Sequence, residues 1–100
     1  MKSITVQELK ALMDQNDDFQ LIDVRELHEY EEANLGGQLI PLGEIPSRYS
    51  EISMEKQVVM QCRSGARSAN AIQFLEQNYG FANLYNLEGG ILAWLNAFEK

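Results

Sequence analysis

Residues 57–68 read Gln57-Val58-Val59-Met60-Gln61-Cys62-Arg63-Ser64-Gly65-Ala66-Arg67-Ser68. The first five carry paired valines at their centre and form a strand pattern, because β-branched side chains suit a pleated backbone. From Ala66 a helical pattern runs to Tyr79, and Gly80 stands where a C-terminal glycine cap belongs. Ala69, Ile72, Leu75 and Tyr79 are expected on its core-facing side. A strand thus passes into a helix through a short loop, and the only cysteine of the chain, Cys62, sits in that loop.

The same alternation holds on both sides of this unit. Ile4-Thr5-Val6-Gln7-Glu8-Leu9 reads as a helix start, with Thr5 as N-cap, Glu8 as its capping-box partner, and Ile4 and Leu9 at the hydrophobic-staple positions. Phe19 to Val24 reads as a buried strand, and Arg25 to Glu32 as a polar stretch holding a short helix. Gln38-Leu39-Ile40 is a short strand stopped by Pro41, after a turn at Gly36-Gly37. Glu44 to Ile52 is expected to be helical, with Pro46 in its first turn. Ala82 to Tyr85 is a further short strand. Ile91, Trp94, Leu95 and Phe98 form the apolar stripe of a last helix. The clear strands carry short apolar runs rather than strict alternation, which points to an α/β fold with a mostly parallel sheet and helices on both faces. In such sheets ligands bind beyond the carboxyl ends of the strands. Cys62 follows one strand end, and Asp23 lies near another.

One hundred residues, 45% of them apolar, form one domain spanning 1–100 with a core that needs no staples. A single cysteine forms no internal disulfide, and one cysteine with one histidine is too few soft ligands for a zinc site. No apolar run approaches the about 20 residues that span a bilayer. Met1-Lys2-Ser3-Ile4-Thr5 lacks the apolar stretch of a signal peptide. The expectation is a cytoplasmic protein with no membrane partner. The formal charge of −7 argues against a nucleic-acid surface. Locally the balance reverses: between Glu55 and Glu76 there is no acid, yet this window holds Lys56, Arg63 and Arg67. A small anion fits there better than a long polyanion.

The loop itself offers chemistry. Free N–H groups at the helix start point back toward Cys62. A free thiol has a pKa of about 8.5, and a helix N-terminus with nearby arginines lowers it. Gly65 permits a turn that lets successive N–H groups converge on one point. Such a nest suits a phosphate, a sulfonate-like group or the terminal sulfur of a persulfide, with Arg63 and Arg67 adding charge.

The run Cys62-Arg63-Ser64-Gly65-Ala66-Arg67-Ser68 resembles the active-site loop of the rhodanese domains. Leu21-Ile22-Asp23-Val24-Arg25-Glu26, followed by Glu29-Tyr30, is similar to that family's N-terminal signature. Leu87-Glu88-Gly89-Gly90-Ile91-Leu92-Ala93-Trp94 is similar to its C-terminal one. The resemblance covers nearly the whole chain. It implies a three-layer fold with a parallel five-strand sheet, and a sulfurtransferase in which Cys62 becomes a persulfide that a nucleophilic acceptor discharges. The implied donor is a small sulfur-containing anion such as thiosulfate, or a protein persulfide. The implied acceptor is a thiol, cyanide or a sulfur carrier. No metal or organic cofactor is implied. Asn34-Leu35-Gly36-Gly37-Gln38-Leu39-Ile40-Pro41 departs from the Gly-His-Ile of many members. It looks like the version fused to enzymes that activate ubiquitin-like sulfur carriers.

Other readings stand beside this one. The chain could be a non-catalytic binding or sulfur-sensing domain, although such domains often lack the cysteine. A cysteine phosphatase or arsenate reductase is the third reading. Phosphatases carry one more residue between cysteine and arginine than the four between Cys62 and Arg67, and the shorter loop is better matched to one sulfur atom. Within the site, Arg67 is expected to end the cradle and Arg63 to face the substrate from solvent. Ser64 and Ser68 are loop hydrogen-bonders or helix caps, Ala66 starts the helix, and Asp23 is either a strand-end turn residue or a carboxylate that holds the loop or an arginine. Arg25 and Glu26 are expected in structural ion pairs. His28, among Glu26, Glu29, Glu31 and Glu32, reads as part of a solvated face, and Trp94 as core.

Overall fold

The computed structural model describes residues 1–98. Strands β1 (Ser3–Ile4), β2 (Phe19–Asp23), β3 (Gln38–Leu39), β4 (Gln57–Gln61) and β5 (Leu84–Leu87) form one sheet in the order β1-β5-β4-β2-β3. Every neighbouring pair is parallel. The helices are α1 (Val6–Asp14), α2 (Leu27–Glu32), α3 (Ile45–Arg48), α4 (Ala66–Tyr79) and α5 (Gly90–Phe98).

Period two along each strand splits the interior into two cores. Ile22, Val58, Met60 and Leu84 pack with Ile45 of α3 and with Ala71, Ile72 and Leu75 of α4. Leu21, Val59 and Leu87 point the other way, onto Val6 and Leu9 of α1 and the half-buried Trp94, Ala97 and Phe98 of α5. The result is three layers, with the central sheet between α1/α5 and α3/α4. Cys62 continues the parity of Val58 and Met60, so its side chain lies on the α4 side.

The capping box of α1 is present: Glu8 N–H donates to Thr5 Oγ1 at 3.1 Å, and Thr5 N–H donates to Glu8 Oε1 at 2.9 Å. Four features differ from the sequence reading. Strand β1 is additional, held by Asn86 N–H to Lys2 O at 3.0 Å and Glu88 N–H to Ile4 O at 2.9 Å. That same pairing draws the last strand to Leu84–Leu87 rather than Ala82–Tyr85. Asn83 instead braces the loop before β4, its Nδ2 donating to Ser53 O at 2.8 Å and Lys56 O at 2.6 Å. The Glu44–Ile52 stretch is not one helix but α3 flanked by 3₁₀ turns at Leu42–Glu44 and Tyr49–Glu51. Finally, the buried face of α4 carries Ser68 rather than Ala69. A polar group faces the core there because it meets the cysteine sulfur.

Candidate active site

Cys62 follows β4, and Gly65 caps α4 with φ +110° and ψ −12°. Gly65, the N-cap, has no side chain to cap this helix, and the cysteine sulfur accepts from the loop instead. Gly65 N–H donates to Cys62 Sγ at 3.1 Å, and the Ser68 hydroxyl lies 3.3 Å from the same atom. Burial of Cys62 works to raise its pKa. The Ser68 hydroxyl and the backbone N–H groups of Ser68, Gly65 and Ser64 outweigh it and hold the thiol below its ordinary value. Cys62 is 1% exposed, so bulky reagents do not reach the sulfur unless the surrounding chain moves.

The aim of the loop amides is set from behind. Cys62 O accepts from Ile91 N–H at 2.9 Å and from Gln61 Nε2 at 2.9 Å, and Arg63 O accepts from Leu92 N–H at 3.1 Å. In a planar trans peptide the carbonyl and the following N–H point oppositely. Pinning the Cys62 and Arg63 carbonyls on the first turn of α5 therefore turns the next N–H groups, of Arg63 and Ser64, away from α5. Gly90 makes this approach possible. Its φ is +60°, and a Cβ there would fall 2.4 Å from Arg63 O and 2.5 Å from Cys62 O.

The two arginines have different fates. Arg67 is bidentate to Glu29, Nη1 to Oε1 at 2.7 Å and Nη2 to Oε2 at 2.9 Å. This hydrogen-bonded pair is the main reason that the Glu29 pKa is lowered to about 2. Arg63 is exposed, and its guanidinium has no ion-pair partner among the described residues. Ser64 and Ala66 are exposed and Ser68 is buried.

The Asp23 carboxylate makes no hydrogen bond to the cysteine loop among the described residues; its partner is Arg25. It is fully buried and holds Arg25, Oδ1 to Nε at 3.0 Å and Oδ2 to Nη2 at 2.8 Å. Arg25 in turn donates to Glu29 O at 3.3 Å and Ala33 O at 2.7 Å, which anchors α2. Because α2 carries Glu29, Asp23 supports the loop only indirectly, through Arg25, Glu29 and Arg67. Glu26 makes no ion pair among the described residues; it stands at the N-cap of α2, where its backbone N–H donates to Glu29 Oε1 at 3.0 Å. His28 is exposed and Trp94 is half-buried against the α1-side core.

Three participants lie outside the sequence-derived set: Glu29, Gln61 and Asn86. Asn86 Nδ2 donates to Gly65 O at 3.1 Å. No local pattern reveals a pair such as Arg67–Glu29, 38 residues apart. The consecutive glycines at 89 and 90 were the available signal for the close approach of α5. A cavity of about 150 Å³ opens beside the loop, lined by Arg63, Glu29, Glu32, Ile91, Leu92 and Leu95 among others. A larger one, about 340 Å³, lies at the amino ends of β2 and β4, away from Cys62.

The model of the family described as Rhodanese-like domain matches residues 5–97. A protein of Bacillus subtilis named uncharacterized protein YqhL is 40% identical over 95 residues, covering 94% of this chain and 72% of that protein. A protein of Allochromatium vinosum named sulfurtransferase is 37% identical over 95 residues, covering 94% of this chain and 88% of its own. Among solved structures, a rhodanese-like domain protein from Staphylococcus aureus superposes with a TM-score of 0.85 at 35% identity, covering 94% of this chain and 91% of that one.

Proposed function

The chain belongs to the rhodanese-like domain family, and from that premise we propose that it is a sulfurtransferase working through a persulfide on Cys62. The Cys62 thiolate attacks the outer, sulfane sulfur of a donor such as thiosulfate. The donor's S–S bond breaks, sulfite departs with the bonding pair, and the negative charge passes to the outer sulfur of Cys62–S–S⁻. An acceptor nucleophile (a thiol, cyanide or a protein sulfur carrier) then bonds to that outer sulfur and the Cys62 thiolate is restored. The scheme is two-step and ping-pong.

One observation carries this reading: a backbone amide and a buried hydroxyl both meet the Cys62 sulfur. The Gly65 and Ser64 amides and the Ser68 hydroxyl favour an anion at that point. Arg63, exposed beside the loop, is the cation available to an approaching anionic donor. Arg67 shapes the loop through Glu29 and does not bind the donor. That pairing also counts against a phosphatase, which needs its loop arginine for the phosphate oxygens. The name of the Allochromatium vinosum relative, a sulfurtransferase, agrees.

The test is thiocyanate formation from thiosulfate and cyanide. The native chain is expected to turn over, and Cys62→Ser to fall to the uncatalysed rate with its fold intact. Full turnover by Cys62→Ser would remove the mechanism.

A further inference from the structure

Ser68 Oγ stands among three acceptors. It is 2.5 Å from Asn86 Oδ1, 3.2 Å from Gly65 O and 3.3 Å from Cys62 Sγ. A serine hydroxyl has one proton to give. The orientation of the Asn86 amide is fixed independently, since its Nδ2 donates to Gly65 O at 3.1 Å. Reversed, it would set two carbonyl oxygens against each other. Oδ1 therefore faces Ser68 and, having no proton, only accepts. Ser68 is fully buried, so bulk solvent does not reach its hydroxyl.

We propose that Asn86 is a positioning residue that competes with the Cys62 sulfur for the Ser68 proton and so sets how firmly the cysteine anion is held. With Cys62 as a thiol, S–H donates to Ser68 Oγ and Ser68 O–H donates to Asn86. With Cys62 as a thiolate, the Ser68 O–H turns to the sulfur and Asn86 Oδ1 loses its donor. In the persulfide the inner sulfur is neutral and the charge lies on the outer one, so the Ser68 hydrogen bond returns to Asn86. No proton leaves Ser68 in this cycle; only the direction of its hydrogen bond changes. Asn86 thereby moderates the thiolate, which keeps it nucleophilic, since nucleophilicity falls with thiol pKa. This inference rests on the reading of Cys62 as a reacting thiolate.

The charged groups around the sulfur are accounted for separately. Arg67 on α4 feels the Cys62 charge and is itself neutralised by Glu29 of α2. Arg63 extends to solvent, and Asp23 and Arg25 at the end of β2 neutralise each other. None of them touches Asn86 or the Ser68 hydroxyl by hydrogen bond.

The experiment is a pH titration of the Cys62 thiolate by its ultraviolet absorbance, with persulfide formation read separately by mass. Asn86→Ala leaves the sulfur and Gly65 O, 3.3 and 3.2 Å away, as the acceptors for the Ser68 proton; the charged thiolate outcompetes the neutral carbonyl, and the Cys62 pKa is expected to fall by about one unit, a tenfold rise in the thiolate-to-thiol ratio. Ser68→Ala is expected to raise it. In the Ser68→Ala background, Asn86→Ala is expected to move it no further. Asn86→Asp, which keeps an acceptor and adds charge, is expected to raise it, and serves if the alanine variant does not fold. A higher or unchanged pKa in Asn86→Ala, a lower one in Asn86→Asp, or an equal shift without Ser68 overturns the proposal. If native protein still takes up sulfur, that failure leaves the transfer reading standing.

Discussion

Replacing Gly90 with alanine tests how the cysteine loop is built. The residue has φ +60°, a left-handed conformation that costs a side chain about 1–2 kcal/mol. Its new Cβ would also lie 2.4 Å from Arg63 O and 2.5 Å from Cys62 O, both well inside the 3.0 Å below which such contacts essentially never occur. These are backbone atoms, so relief requires the start of α5 to move off the loop. That motion breaks Ile91 N–H to Cys62 O and Leu92 N–H to Arg63 O, now 2.9 and 3.1 Å. Each is worth about 0.5–1.5 kcal/mol net. The expected loss is about 2–5 kcal/mol, a Tm lower by about 10–30 °C for a domain of this size. Once its carbonyl is unpinned, the Arg63–Ser64 peptide no longer aims its N–H at the sulfur, and the Cys62 pKa should climb toward the free value of about 8.5. Urea unfolding measures the first effect and a thiolate titration the second. Gly36→Ala is the control: its φ is +83° but no atom lies within 4 Å of the added Cβ. It should cost only the conformational term and leave the thiol untouched. A Gly90→Ala protein within about 1 kcal/mol of native stability and with an unmoved thiol pKa would refute the clamp.

Two further expectations concern the supporting ion pairs. Asp23→Ala strands the Arg25 guanidinium, 4% exposed, without its carboxylate, and should cost about 3–5 kcal/mol in urea unfolding; a loss below about 1 kcal/mol would mean that Arg25 finds another partner. Glu29 has a folded-state pKa of about 2 against an ordinary 4.5. A depressed carboxyl stabilises fully above its unfolded pKa and loses that contribution as pH falls through the folded one. Urea midpoints of native protein should therefore include a decline between about pH 4.5 and 2 that Glu29→Gln lacks, and matching acid profiles would place Glu29 away from Arg67.

What could be read from the chain beforehand was local. Thr5 and Glu8 announce the start of α1 because both halves of a capping box lie within one turn. The 14 residues of α4 carry enough period, and β2 and β4 a long enough apolar run, to be recognised. The loop between β4 and α4 was legible for the same reason: cysteine, glycine and helix start are contiguous. Strand β1 was not, because two residues show no period and their partner, β5, lies more than 80 positions away. The destination of Arg67 was equally hidden. Its charge and position suit an anion cradle, and only the fold brings Glu29 of α2 within reach. Asp23 likewise looked like a rim carboxylate, yet the arginine two residues on closes over it. Ser68 on a core-facing helical position breaks the apolar pattern, and that violation was a sign of the site, since a polar group is buried where it has a partner to serve.

The most direct measurement is the intact mass of the protein after incubation with thiosulfate and removal of excess donor. A gain of one sulfur atom, mapped to Cys62 and lost on adding cyanide, is the expected result. An unchanged mass in native protein, or the same gain in Cys62→Ser, would contradict sulfur transfer through this cysteine.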